Sequence, residues 1–230
     1  KLAKKINGEI INADSMQIYK ELKILSARPL KKDYRNIKHH LYACQSIRKN
    51  FSVGDWLKLA NKKILDLKKK NKTAILVGGT GLYFKSLING LVKIPNIPIR
   101  LRTEIRSLHK RLGSKKFFSR LTKLDPLVKN RIKYSDAQRS IRAYEVKFYT
   151  KKSIYDWFKS TKSIYKQKDF YKIYVDYPRN ELLTSINLRS QQMIKNGAVL
   201  EVKKFIKLKV HHDKTANKAI GIGEIREYIK

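Results

Sequence analysis

The stretch TAILVGGTGLYFKSL, residues 73–87, constrains this chain more than any other. Ala74 to Val77 are apolar without polar alternation, the pattern of a strand covered on both faces of a parallel sheet. Gly78, Gly79 and Gly81 surround Thr80, and a helical pattern, GLYFKSLINGL over 81–91, follows at once. Parallel strands are joined by crossovers, so this strand–turn–helix unit predicts an α/β domain. Glycines let a ligand approach the main chain closely, and the first amides of the following helix favour an anion. The turn lacks the G-K-[ST] ending of a Walker A loop. A structural turn explains the glycines equally well, but does not call for Thr80.

IINADSMQIYKELK, residues 10–23, fits the same frame. A strand over Glu9 to Ala13 delivers Asp14 at its carboxyl end. Asp14 and Ser15 are N-cap residue types and could serve only to start a helix. In open α/β sheets, however, ligands bind beyond the carboxyl ends of the strands, where both Asp14 and the glycine turn fall. HHLYAC (39–44) is a weaker strand candidate. FSVGDWLKLANKKILDLKKK (51–70) reads as a helix opened by a Ser52–Asp55 capping box, with Trp56, Ala60, Ile64 and Leu67 on one stripe. KLAKKING reads as the last turns of a helix with Gly8 at the C′ position, so chain upstream of Lys1 is expected.

Two prolines in KIPNIPIR (93–100) end the alternation of strands and helices. RLRTEIRSLHKRLG, KKFFSRLTKLD and DAQRSIRAYEVKFYTKK are then helical and basic. FYKIYVDYPR (170–179) reads as a strand, and residues 180–197 as a helix capped by Asn180 and stopped by Gly197. The expected organisation is an α/β core over 1–94 and 170–230, interrupted by a helical insertion over 95–169.

On the helix around residue 140, Gln138 and Arg142 share a face with Arg139 at its edge, while Ile141, Tyr144 and Phe148 form a packing stripe. Gln and Arg bond base edges in two-pronged fashion, and Arg also holds phosphate. The alternative is a solvated face with an Arg142–Glu145 pair. Arg189 shares a stripe with Ile186 and Met193 that is expected to pack inward, where an arginine needs an anion or an acidic partner. His39 and His40 lack ligands at metal spacing and read as packing or capping residues.

The 54 basic against 18 acidic residues leave a formal charge of +36, which favours a polyanionic partner. Lysine-rich faces such as NKKILDLKKKNK also read as solvated helix. A single cysteine, Cys44, excludes an internal disulfide framework and a Cys-rich zinc site, and fits a reducing, cytoplasmic compartment. No apolar run approaches the roughly 18 residues of a membrane span, and no signal peptide opens the chain.

EIINADSMQIYKELKILSARP, HHL, FSVGDW, LVGGTGLYFKSLINGL, DAQRSIRAYEV, RNELLTSINLRSQQMIKNG and AIG occur in that order from Glu9 to Gly221. Together they resemble the tRNA dimethylallyltransferase (tRNA isopentenyltransferase) family. The resemblance implies a P-loop-NTPase-like parallel sheet flanked by helices, with a helical insertion that embraces the anticodon arm of tRNA. It implies transfer of a dimethylallyl group from dimethylallyl diphosphate to the exocyclic amine of the adenine 3′ of the anticodon. Magnesium would assist departure of the diphosphate. Asp14 is the implied general base, and Thr80 the residue that holds the adenine. Implied tRNA contacts are Asp14, Ser15, Met16 and Gln17, together with Gln138, Arg139, Ser140, Ile141 and Arg142. Arg189 would face the diphosphate.

A monomer is expected. The family's P-loop lies just upstream of LAKK and its basic C-terminal helices beyond EIREYI, so the chain reads as a fragment lacking both. Leu25 stands where a glycine is usual, Ala43 where an aspartate is, and Ile222-Gly223 where an aromatic and a basic residue follow AIG. Two alternatives remain at this level. One is a prenyltransferase of free adenine nucleotides, which would have no use for the basic insertion or the Gln138–Arg142 face. The other is a non-catalytic RNA-binding remnant.

Overall fold

The structure, a computed structural model, describes residues 1–211 and 214–230. It divides into two compact units, one of Lys1–Leu87 with Gln167–Lys230 and one of Ile88–Lys166. The first is built on a parallel sheet of β1 (Gly8–Asn12), β2 (His39–His40) and β3 (Thr73–Val77) in the order β2-β1-β3. Gly8 lies opposite Thr73, Asn12 opposite Val77, and Ile10 opposite His39. β1 is central, and Gly8, Glu9, Ile11 and Asn12 are all buried. β3 is less covered than its composition predicts, with Thr73 and Val77 exposed. Among the described residues β3 pairs only with β1, and an edge strand is shielded on one side alone.

Helix α1 (Leu2–Lys5) ends at Ile6. Asn7, with φ 47°, takes the left-handed turn expected at Gly8, which is already the first residue of β1. Helix α2 (Val53–Lys69) opens with the expected reciprocal cap: Ser52 Oγ accepts the Asp55 amide at 3.2 Å and Asp55 Oδ2 accepts the Ser52 amide at 2.8 Å. Its stripe buries Trp56, Ala60 and Leu67. The Trp56 indole stacks at 4.3 Å on Tyr83 of α3 (Gly81–Asn89), the helix entered directly from the glycine turn.

The second unit holds α4 (Ile99–Leu124), α5 (Ala137–Thr150) and α6 (Ile154–Lys159). α4 breaks at Gly113, whose φ of 72° only glycine adopts readily, so its two halves match the two helical patterns of the sequence. Ile105, Phe117, Leu121, Val128, Ile132, Ala143 and Tyr144 form the core of this unit. The buried face of α5 includes Ser140, Ala143 and Tyr144, whereas Phe148 is exposed. The packing stripe therefore sits one step around the helix from the predicted one: it keeps Tyr144, whose ring lies 5.2 Å from Phe117, and leaves Phe148 exposed.

In the first unit, residues 170–178 carry no regular structure, and Tyr171, Tyr174 and Val175 are almost fully exposed. The predicted strand is absent because a strand exists only as a hydrogen-bonded ladder, and among the described residues the sheet holds β1, β2 and β3 alone. Helix α7 (Arg179–Lys195) begins after Pro178 rather than Asn180 and buries none of its residues. Arg189 is exposed with Leu182 and Ile186, not turned inward. Periodicity shows which residues share a helix face, but not whether anything covers it. Gly197 follows α7 in the left-handed region, and α8 (Ala198–Lys207) buries Ala198, Val202 and Phe205. Helix α9 (Ile222–Tyr228) closes the chain. No helix among the described residues is long and apolar enough to cross a membrane.

Candidate active site

The carboxyl end of β1 is locked by Asn12, whose side chain is fully buried. Its Oδ1 accepts the Asp14 amide at 2.9 Å, while its Nδ2 donates to the Asp14 carbonyl at 2.9 Å and the Leu41 carbonyl at 3.1 Å. The Trp56 indole N–H donates to the Asn12 carbonyl at 2.8 Å, tying α2 to the same point. Asp14 Oδ1 accepts the amides of Met16 at 2.7 Å and Gln17 at 3.3 Å, which makes an Asx turn rather than a helix start. Asp14 Oδ2 has no hydrogen-bond partner among the described residues. The two oxygens thus divide the work: one holds the loop and the other is open.

The glycine turn supplies the facing wall. A Cβ on Gly78 would lie 2.2 Å from the Ala13 carbonyl carbon and 2.6 Å from the Asp14 nitrogen. Only glycine lets the ends of β1 and β3 pass this closely, and the Thr80 amide donates to the Ala13 carbonyl at 3.1 Å. Gly79 and Gly81 face open space. The Thr80 hydroxyl accepts the Ser15 amide at 2.9 Å and donates to the Ser15 hydroxyl over a long 3.3 Å. The structure therefore brings Asp14, Ser15 and Thr80 together across 65 residues of sequence.

Two phenols feel the Asp14 carboxylate. Burial pushes Tyr42 up to about 12, with Tyr34 and Asp14 adding to the effect. Burial also pushes Tyr83 up, with Tyr19 and Asp14 contributing. Both remain protonated at neutral pH. His39 stacks on Tyr34 at 4.0 Å. His40 Nε2 lies 2.6 Å from buried Glu9, which also pairs with Lys72 at 2.5 Å. Burial raises the Glu9 carboxyl, but the bonds to Lys72 and His40 outweigh it and hold the group below its ordinary value.

The loop after Asp14 is fastened from within and from outside. Gln17 Nε2 donates to the Ser26 carbonyl at 3.0 Å, and Arg28 Nη1 donates to the Tyr19 carbonyl at 2.8 Å. Glu201 of α8 accepts three consecutive amides, those of Lys23, Ile24 and Leu25, at 2.8, 2.9 and 3.0 Å. Met16 is half-buried beside this turn.

The other predicted contacts belong to other elements of the chain. Gln138 and Arg139 are exposed on α5, and Arg139 Nη1 pairs with the capping Asp136 at 2.9 Å. Ser140 is buried and Ile141 half-buried. Arg142 Nη1 lies 3.3 Å from buried Glu145. Arg189 stands on α7. Asn12, Trp56, Glu145 and Glu201 were not singled out from sequence as site residues. Asn12 carried a signal, since asparagine is disfavoured inside strands. Glu201 carried none, because the amides it holds lie 176 to 178 residues away.

Magnesium finds no cage in these residues. No three His, Cys, Asp or Glu side chains converge among the described residues, and one Asp14 oxygen is already committed to two amides. Magnesium usually keeps several waters and takes one or two protein carboxylates beside substrate phosphates, so it does not require such a cluster.

Residues 17–230 match the family model described as IPP transferase. A tRNA dimethylallyltransferase of Pelagibacter ubique (strain HTCC1062) is 56% identical over 229 residues, covering 100% of this chain and 73% of its own length. A crystal structure of a tRNA isopentenylpyrophosphate transferase from Bacillus halodurans is 30% identical, with a TM-score of 0.65, and covers 99% of this chain and 71% of its own. A eukaryotic dimethylallyltransferase acting on tRNA, at 24% identity and a TM-score of 0.83, shares the fold over 99% of this chain and 58% of its own. With residues 17–230 matching the family model and a relative 56% identical over the whole chain, the chain belongs to the IPP transferase family.

Proposed function

We propose that this chain carries the acceptor-activating side of a tRNA dimethylallyltransferase, which moves a dimethylallyl group from its diphosphate to the exocyclic amine of an adenine beside the anticodon. The observation that carries the reading is the Asp14–Thr80 edge, where a carboxylate with one oxygen free of hydrogen bonds adjoins Ser15, which the Thr80 hydroxyl bonds, at the carboxyl end of a parallel sheet. An adenine amine is a poor nucleophile because its lone pair is delocalised into the ring. Asp14 Oδ2 accepts its proton as the new N–C bond forms, and the breaking C–O bond leaves its electron pair on the diphosphate. General-base help of this kind is worth about 10²–10⁴-fold. Thr80 turns its hydroxyl from Ser15 to the adenine and holds it for attack. The base reaches the site by leaving its stack, at a cost of a few kcal/mol.

The Gln138–Arg142 face of the helical unit contacts the RNA, and Arg189 on α7 meets the diphosphate. The formal charge of +36 supports a polynucleotide acceptor over a free nucleotide. The test is incubation of the full-length protein with labelled dimethylallyl diphosphate and unmodified tRNA. Label on the tRNA adenine, lost in Asp14→Ala, is the expected result. No incorporation by the wild type, or equal incorporation into free adenosine monophosphate, overturns the reading.

A further inference from the structure

Glu145 is charged, lies in the middle of α5, and its side chain is only 3% exposed. A buried carboxylate must be paired, and this one is paired twice. Its Oε2 lies 3.3 Å from Arg142 Nη1 on the same helix and 3.7 Å from Arg102 Nε on α4. Both arginine side chains stay partly open, at 42% and 44% exposure. One oxygen therefore draws two guanidinium heads from different helices to one place on the surface. Each keeps N–H donors that Glu145 does not use, since guanidinium has five. Two positive charges against one negative leave a net charge of +1, the complement of a single phosphodiester.

Resting on the tRNA reading above, we propose that Arg102 and Arg142 form a seat for one backbone phosphate of the RNA, and that Glu145 is the positioning residue that converges them. Arg142 then places the RNA and does not read a base, because phosphate contacts set register while base-edge contacts set sequence. Arg102, absent from the Gln138–Arg142 face, is the second half of the seat. Arginine suits the task because its planar fork matches phosphate oxygens, which a lysine ammonium does not.

The test measures binding of unmodified anticodon-arm RNA by the full-length protein across a potassium chloride series, without prenyl donor. Arg102→Ala should weaken binding by a similar factor for several loop sequences and reduce the slope of log K against log salt by nearly one unit. Arg102→Lys, which keeps the charge, should recover most of that slope. Glu145→Gln separates positioning from bare charge. It adds one positive charge to the surface, so it should tighten binding if Glu145 merely competes with phosphate, and weaken binding if Glu145 converges the arginines.

Tighter binding by Glu145→Gln, an unchanged slope in Arg102→Ala, or no recovery in Arg102→Lys overturns the seat. Loss that depends on loop sequence overturns it too. Because the measurement needs no transfer, failure of the wild type to prenylate tRNA would strike the proposed function and leave these binding outcomes legible.

Discussion

Asn12 holds Asp14 by both of its backbone groups: the Asp14 N–H donates to Asn12 Oδ1 and the Asp14 C=O accepts from Asn12 Nδ2, each at 2.9 Å. The residue proposed to accept a proton therefore sits on a main chain that cannot tilt without breaking two bonds to a buried amide. Its carboxylate is half anchored as well, through the Met16 and Gln17 amides on Oδ1. Asp14→Asn keeps an oxygen for those amides and removes only the basic atom. The full-length variant should lose about 10²–10⁴-fold in single-turnover transfer while tRNA affinity stays within several-fold. Wild-type turnover would remove Asp14 from the role of base.

Asn12→Ala leaves the Leu41 carbonyl and both Asp14 backbone groups without their partner. Each buried polar group left unmade costs about 1–3 kcal/mol, so thermal stability should fall by at least that much. Transfer should slow more than RNA binding weakens. Equal loss in both would mean that Asn12 supports the fold generally and not the Asp14 geometry.

Gly78→Ala puts a methyl group 2.2 Å from the Ala13 carbonyl carbon, where backbone must move. Forced displacement of this kind costs about 1–3 kcal/mol, which a denaturant titration reads directly. Gly79→Ala is the matched control, since nothing lies within 4 Å of its added carbon. Similar midpoints for the two variants would contradict the close approach of β1 and β3.

Glu201→Gln replaces a carboxylate that accepts three amides with a side chain that has one acceptor oxygen. Bonds to a charged acceptor contribute about 1.5–3 kcal/mol each. Hydrogen exchange at Lys23, Ile24 and Leu25 should therefore accelerate by at least about tenfold, while amides in the core of α2 keep their wild-type protection. Unchanged exchange at those three amides would show that the loop holds itself.

Glu9 makes a pH prediction. Its pKa is depressed by Lys72 and His40 against the opposing effect of burial, so its ionised form is favoured by folding. The stability it contributes is present above its ordinary value of 4.5 and is lost as pH falls through the lower folded value. Glu9→Gln should reduce stability at neutral pH and flatten the acid limb below that value. An acid limb as steep as the wild type's would assign it to other carboxylates.

Much of the fold was legible in the chain. The Ser52–Asp55 box, the break at Gly113 and the passage from an apolar strand through glycines into α3 all appear where local chemistry puts them. The meeting of the Asp14 loop with the glycine turn, through Thr80 on Ala13 and Ser15, was legible as well, because both follow carboxyl ends of parallel strands. Segment 170–179 and the face of Arg189 were misjudged for one shared reason. Apolar alternation and helical stripes state what a segment could bury, and burial requires a covering partner.

The sequence alone therefore determined the features that neighbours within a few residues control: caps, turns, the glycine break and the order of strand and helix. Tertiary structure decided which strand is central, which oxygen of Asp14 is open, and which carboxylates hold distant groups. Glu201 reaches amides 176 to 178 residues away, and Glu145 gathers arginines from two helices. Such contacts leave no periodic trace, because their partners meet only when the chain has folded.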